Sequence, residues 1–436
     1  MSSEDSTLAG SNARDTLSVR LFHPDREALF VSRPNRFLMV ARSGFYENQG
    51  ASPDHQGSLA PELLSCHCPN PGRILEFCLP GTELFLEKRR GLSKPGGLVP
   101  KTLWTAAALR YHGSVVCLAP VRMNKAAHAL VLPSIFPGAR QIVPEYSIGS
   151  SRFDFMIVDS NGQRHLVEVK SCSLVEHEVA MFPDAPSLRA TRHLQELTLL
   201  AGQGYQCHVV FMIAHGHPQR LVPNLHTDPA FAAALSQASA VIDIRAMEIA
   251  LDEQGYATMA RTEVPVDLSC GSLAGQDRGS YLISLRLAEP VKLAVGALGM
   301  IDFAAGWYVY AGSAQRGLST RMARHLRKTR KARHWHLDYL TPHATGMEAW
   351  AVASERNLEC DLAEAVRSIG GREVPGFGSS DCSCSSHLFK LDMAPRTDPR
   401  FIALMARFRH VIALELPEAC IPGGAIKGLD HKQIKK

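Results

Sequence analysis

No apolar run in this chain approaches the roughly 20 residues that a membrane-spanning helix needs, so a soluble protein without a membrane partner is expected. A phosphate-cradling glycine loop is also missing, which counts against an enzyme acting on a small phosphorylated sugar. The opening residues, MSSEDSTLAGSNARD, are polar and small where a signal peptide would be basic and then apolar. Residues 1–16 therefore read as a disordered tail. Cysteine is not scarce, but its eleven copies are odd in number and lack the spacing of a disulfide framework, which points to a reducing, cytoplasmic compartment. Nor is there a large excess of one charge. A formal net charge of +5 names no partner by itself, so the distribution of charge along the chain has to carry that argument.

At 436 residues the chain exceeds one ordinary core, and two or three domains are expected. Its 45% hydrophobic and 20% charged residues are those of a globular protein. Residues 17–120 carry short apolar runs interrupted by Pro34 and by turn signals at Asn48-Gln49-Gly50, Asn70-Pro71-Gly72 and Pro80-Gly81. That pattern predicts a small OB-like β-barrel, with Arg33, Arg36 and Arg73 as phosphate contacts for a nucleic acid or, equally, as solvated charges. Cys66 and Cys68 suit a core role better than a metal, because no second ligand pair lies at finger spacing. Residues 101–110 (KTLWTAAALR) and 125–132 (KAAHALVL) both have helical composition.

Within residues 121–268 the stretch EYSIGSSRFDFMIVDSNGQRHLVEVK places three charges inside apolar strands. Glu168 and Lys170, two apart on a strand, share a face. Asp154 depends on the turn. A three-residue loop Ser160-Asn161-Gly162, with Gly162 left-handed, sets Asp159 against Gln163 and Asp154 against Glu168; a two-residue turn would send Asp154 to the other face. Two carboxylates suit Mg²⁺ or Mn²⁺, and Lys170 can hold a water or offset charge on a phosphate. Further on, Leu188, His193, Leu194, Leu197 and Leu200 recur at helical spacing, and an α/β layer is expected from the hairpin, helix, strand order.

Asp followed by Glu-x-Lys on a hairpin resembles the PD-(D/E)xK nuclease core. Together with RPNRFL, CHCPNPGRI, RFDFM, VEVKS and FPDAPSLRATRHLQEL, it resembles the sugar fermentation stimulation protein family over about residues 20–268. The resemblance implies an OB-like domain, a nuclease-like domain with Asp154, Glu168 and Lys170 at its centre, and nucleic acid as ligand. It also implies that Glu145 is the extra metal-binding acid of the first helix and that His193, which by its place in the helix could equally be a satisfied core histidine, supports the site.

The polar, Gly-containing stretch 269–278 reads as a linker. Beyond it, Gly279-Ser280-Tyr281 and Tyr310-Ala311-Gly312 lie on two strands. Between Gln315 and His336 stand eight basic residues, Arg316, Arg321, Arg324, Arg327, Lys328, Arg330, Lys331 and Arg333, and no acid. Leu318, Met322 and Leu326 form an apolar stripe, so a helix with basic faces for phosphate is expected. The pattern over residues 279–391 resembles a GIY-YIG-related α+β domain of unknown function. That likeness implies Tyr281 or Tyr310 as the assisting hydroxyl, Arg321 as the transition-state cation and Glu359 as the metal-binding acid. Cys360, Cys382, Cys384 and His387 are compatible with zinc or with a plain packing role. Residues 392–436 form a C-terminal extension that packs partly through FIALMARFRHVIAL.

The whole reads as a multidomain α+β protein that binds DNA or RNA and cuts phosphodiesters with a divalent metal; the alternative is a non-catalytic DNA-binding regulator. An intact Asp and Glu-x-Lys set favours catalysis, because acids repel phosphate in a protein that only binds. The sequence names no oligomeric state.

Overall fold

Short strands with apolar residues on one side close into a barrel at the start of the computed structural model, which describes residues 17–43, 62–89, 102–149, 151–329 and 332–414. The tail 1–16, Arg330, Lys331 and residues 415–436 lie outside the described residues. Five strands, Arg26–Asn35, Leu38–Ser43, Glu62–His67, Glu83–Lys88 and Trp104–Tyr111, form the barrel, with the first paired to both the second and the fourth. The third and fifth pair in parallel at Cys66 with Trp104 and His67 with Thr105, which removes both open edges. Met39, Ala41, Cys66, Leu86 and Ala106 fill the interior. Burial pushes the Cys66 thiol up to about 12, as suits a core cysteine.

Two expectations fail in this region. Residues 101–110 have helical composition, yet Trp104–Tyr111 is a strand, because Ala106 to Leu109 are wholly buried on both sides and tertiary packing overrides propensity. Residues 17–20 do not belong to the barrel. Ser18–Arg20 pairs with Tyr256–Arg261 of the next domain, and Leu21 and Phe22 insert into that domain's core.

The central sheet has seven strands in the order Ser18–Arg20, Tyr256–Arg261, Asp243–Leu251, Gln206–Ile213, Arg164–Cys172, Ser151–Val158 and Gln141–Ile148. Its middle three are parallel, and Val209 to Ile213 are buried throughout, as a strand covered on both faces must be. The helical segment from Pro120 to Ile135 covers one face, and the helices Leu188–Ala201 and Pro229–Ala238 cover the other. The expected α/β layer is therefore present, with its hairpin at one side of the sheet.

The C-terminal sheet runs Ala344–Ala353, Gly279–Leu287, Gly306–Ala314, Leu388–Leu391, Arg372–Glu373, all antiparallel. The helix Leu318–Leu326 packs on one face; the helices Glu359–Ser368 and Pro399–Arg407 pack on the other. Residue 391 is thus not the end of this domain. Phe401, Ile402, Met405 and Phe408 share a core with Leu282, Val309 and Trp350, so the first part of the extension is integral. The linker is ordered too, with a short helix Gly271–Ala274 whose Ala274 packs against Leu225 and Ala232. His226 ties the two domains. The Ala353 amide donates to its Nδ1 at 2.9 Å, so Nε2 carries the proton and donates to the Arg409 carbonyl at 3.1 Å.

Candidate nuclease-like centre

The hairpin turn decides the geometry of the central domain. Gly162 has φ +86°, the Gly162 amide donates to the Asp159 carbonyl, and the Asp159 amide donates to the Gln163 carbonyl. Asp159 therefore faces Gln163, as the three-residue loop predicts. The ladder runs Arg164 with Val158 through Val167 with Phe155, and the next step along that register is Asp154 with Glu168. Here the strands part. In place of a backbone partner, the Val169 amide donates to Asp154 Oδ2 at 2.8 Å. Asn124 of the helix Pro120–Ala126 donates to Asp154 Oδ1 at 2.7 Å.

Glu168 is 5% exposed and sits at the centre of the cluster. Its Oε1 accepts from Lys170 Nζ at 2.6 Å and faces His193 Nδ1 at 2.6 Å, while its buried Oε2 has no hydrogen-bond partner. Burial is the largest influence on this carboxyl and pushes it up, but the His193 and Lys170 contacts outweigh it and hold it below the usual glutamate range. Asp154 goes the other way. Burial, reinforced by the Glu168 charge, raises it above the usual aspartate range. An ionised Glu168 only accepts hydrogen bonds, so His193 Nδ1 carries the proton that points at it.

Glu145 corrects the reading that put it on the first helix. It lies on the edge strand Gln141–Ile148 with φ +55°, and its carboxylate meets Arg152 Nε at 2.9 Å. The first helix supplies Asn124 instead. Sequence reading missed Asn124 because a lone amide in a helical run carries no pattern of its own.

The arginines of the barrel separate into two roles. Arg33 donates to the carbonyls of Arg36, Asn70, Gly72 and Arg73 at 2.7–2.9 Å, so its guanidinium frames a loop and is not a phosphate contact. Arg36 and Arg73, whose carbonyls it holds, remain exposed.

In the C-terminal domain Tyr281 faces Gly312 and Ile283 faces Tyr310 across paired strands. Both tyrosines are buried, and Tyr281 Oη meets His325 Nε2 at 3.0 Å. Arg321 donates to the Ser313 carbonyl at 2.7 Å. Glu359 Oε2 accepts from Ser313 Oγ at 2.5 Å, and its Oε1 lies 3.0 Å from His387 Nδ1. A side chain at Gly312 would collide with Tyr281, since a Cβ would lie 2.5 Å from Cζ and from the hydroxyl oxygen. Gly312→Ala is expected to destabilise this domain by about 1–3 kcal/mol, read from urea denaturation; an unshifted midpoint would mean that the ring can yield.

The helix Leu318–Leu326 departs from the expected stripe. Leu318 and His325 are buried while Leu326 is exposed, because a four-residue spacing drifts around a 3.6-residue helix. Arg324 is not free for phosphate, as both its terminal nitrogens are 3.0 Å from Asp338, whose side chain is 0% exposed. Arg327 and Lys328 are exposed.

Comparisons with known proteins follow the same divisions. Residues 31–118 match the SfsA N-terminal OB domain, residues 121–255 the Sugar fermentation stimulation protein RE domain, and residues 280–410 the Domain of unknown function DUF123. The sugar fermentation stimulation protein homolog of Natranaerobius thermophilus is 38% identical over 183 residues, 41% of this chain and 74% of the relative. That of Moorella thermoacetica is 36% identical over 231 residues, 52% of this chain and 90% of the relative. A solved structure of Pyrococcus furiosus SfsA in complex with Ca²⁺ is 27% identical and covers 57% of this chain and 99% of its own, with a TM-score of 0.47.

Proposed function

This chain belongs to the sugar fermentation stimulation protein family, and from that premise we propose that its central hairpin is the centre of a metal-dependent nuclease acting on DNA or RNA. One observation carries the reading. Glu168 Oε2 is buried without a partner beside a second carboxylate, and an unpaired buried oxygen costs about 1–3 kcal/mol unless something fills the gap.

A hard divalent cation is the fitting partner, since the donors are carboxylate oxygens from two neighbouring strands and no soft ligand is among them. Asp154 and Glu168 would hold Mg²⁺ or Mn²⁺. Such an ion supplies Lewis-acid polarisation of a phosphoryl oxygen and a more acidic bound water. The chain's own groups supply the rest. His193 fixes the rotamer of Glu168, Asn124 and the Val169 amide fix that of Asp154, and Lys170 brings an ammonium to a place where phosphate charge develops. The exposed Arg36, Arg73, Arg327 and Lys328 would attract the phosphate backbone without reading its sequence.

Because the raised Asp154 must lose its proton before it binds a cation, protons compete with metal. Metal affinity is therefore expected to weaken as pH drops through a value above the ordinary aspartate pKa, and at subsaturating metal the rate falls with it. The test is cleavage of single- and double-stranded DNA and RNA with Mg²⁺ or Mn²⁺, wild type beside Asp154→Ala, across pH. Cleavage by wild type alone, with nucleic-acid binding retained in the variant, is the expected result. Equal cleavage by both proteins, or binding with no cleavage by either, would overturn it.

A further inference from the structure

We infer that Cys360, Cys382, Cys384 and His387 form a closed tetrahedral site for one zinc ion, and that Glu359 orients its histidine. These four side chains come from two places far apart in sequence. Cys360 lies in the first turn of the helix Glu359–Ser368; the others lie on the loop that leads into the strand Leu388–Leu391. Their ligand atoms all fall within 4.8 Å of one another. Within the cluster, His387 Nε2 lies 3.4 Å from Cys382 Sγ and 3.9 Å from Cys360 Sγ. A tetrahedron with Zn–S of about 2.3 Å and Zn–N of about 2.0 Å has edges of about 3.5–3.8 Å, so closing on an ion needs only small side-chain shifts.

The histidine is already set for the task. His387 is 1% exposed, and its Nδ1 lies 3.0 Å from Glu359 Oε1. That contact keeps the proton on Nδ1 and turns the Nε2 lone pair toward the sulfurs, an arrangement in which a carboxylate fixes the tautomer of a zinc-bound imidazole. Glu359 is held in turn by Ser313 Oγ at 2.5 Å on the strand Gly306–Ala314. The carboxylate that resemblance assigned to a catalytic metal meets Ser313 with one oxygen and His387 with the other, and the contact with His387 is the one used here. Glu359 is a positioning residue.

The loop itself supplies the need. Residues 376–386, GFGSSDCSCSS, have Phe377 as their one large apolar residue, and Phe377 is 0% exposed. Little else in the stretch is apolar, so burial cannot order it, whereas one ion binds the loop, the helix and the sheet together. Three thiolates and an imidazole select zinc over the hard cation proposed for the hairpin. Four protein ligands leave no open position for water, which makes the site structural and separate from the hairpin chemistry.

Elemental analysis of the full-length chain, purified without added metal or chelator, tests the assignment. About one zinc per chain is expected in wild type and in Asp154→Ala, and none in Cys382→Ser. Replacing zinc by Co²⁺ should give wild type a thiolate-to-cobalt charge-transfer band. Should Cys382→Ser fail to fold, Glu359→Gln decides: it should keep the band and bind the ion about 10- to 100-fold more weakly in competition with a metallochromic dye. A wild-type protein without zinc and without the cobalt band, its three thiols free or two of them oxidised to a disulfide, would overturn the proposal. So would an unchanged affinity in Glu359→Gln, for the orienting role of that residue.

Discussion

Lys170→Ala is expected to lower the rate of phosphodiester cleavage by about 10²- to 10³-fold while nucleic-acid affinity changes only a few-fold. The ammonium is 2.6 Å from Glu168 Oε1, and its side chain is only 11% exposed, so its charge acts in a medium far less screening than water. Alanine removes the one ammonium in the cluster and leaves Glu168 with His193 alone. Binding should survive, because the exposed arginines and Lys328 are untouched. Lys170→Arg should rescue little, since a planar fork does not fit where a compact point charge sat. The measurement is single-turnover cleavage beside a binding titration, at a temperature where circular dichroism shows the variant folded. A variant that cuts as fast as wild type would remove Lys170 from the chemistry.

Asp338→Ala should destabilise the C-terminal domain by about 3–5 kcal/mol, the cost of breaking a buried ion pair from one side. Asp338 is wholly enclosed and accepts from both terminal nitrogens of Arg324; its Oδ2 also accepts from the amides of His334 and Trp335 at 2.9 and 3.0 Å. One carboxylate therefore holds the end of the basic helix and the turn that follows it. Arg324 also stacks 4.2 Å from the centre of the Trp335 ring, so its removal forfeits packing as well as charge. Arg324→Ala should cost a similar amount, and the double variant Arg324→Ala/Asp338→Ala should cost clearly less than the sum of the two. Urea denaturation of the four proteins reads the coupling. Additive losses would show that the pair does not act as a unit.

These two residues illustrate what could be read from the chain. Lys170 was legible because a strand alternates faces and Glu168 stands two positions away. The role of Arg324 was not legible. Its acid lies 14 residues on, and a run of eight cations without an acid inside it reads as free charge until the chain folds back. Arg33 misled for a similar reason, as its carbonyl partners are brought near by a loop about 40 residues away. The helical composition of 101–110 gave way to barrel packing, and Asn124 was silent until the helix carrying it came within 2.7 Å of Asp154. Glu359 shows the opposite limit, where likeness to a known domain named the residue and only the fold brought His387 within 3.0 Å of it.

What the order of residues determined by itself was local: a turn at Ser160-Asn161-Gly162 and the shared face of Glu168 and Lys170, while the choice of the three-residue loop, and with it the side on which Asp154 falls, came from the folded hairpin. Turn position and strand period act over a few residues, so short-range text suffices for them. The tertiary structure decided which charges are spent and which are free, where the barrel ends, and how far the last domain extends. Those outcomes depend on burial and on partners tens of residues distant, and neither quantity exists in the chain until its layers have packed.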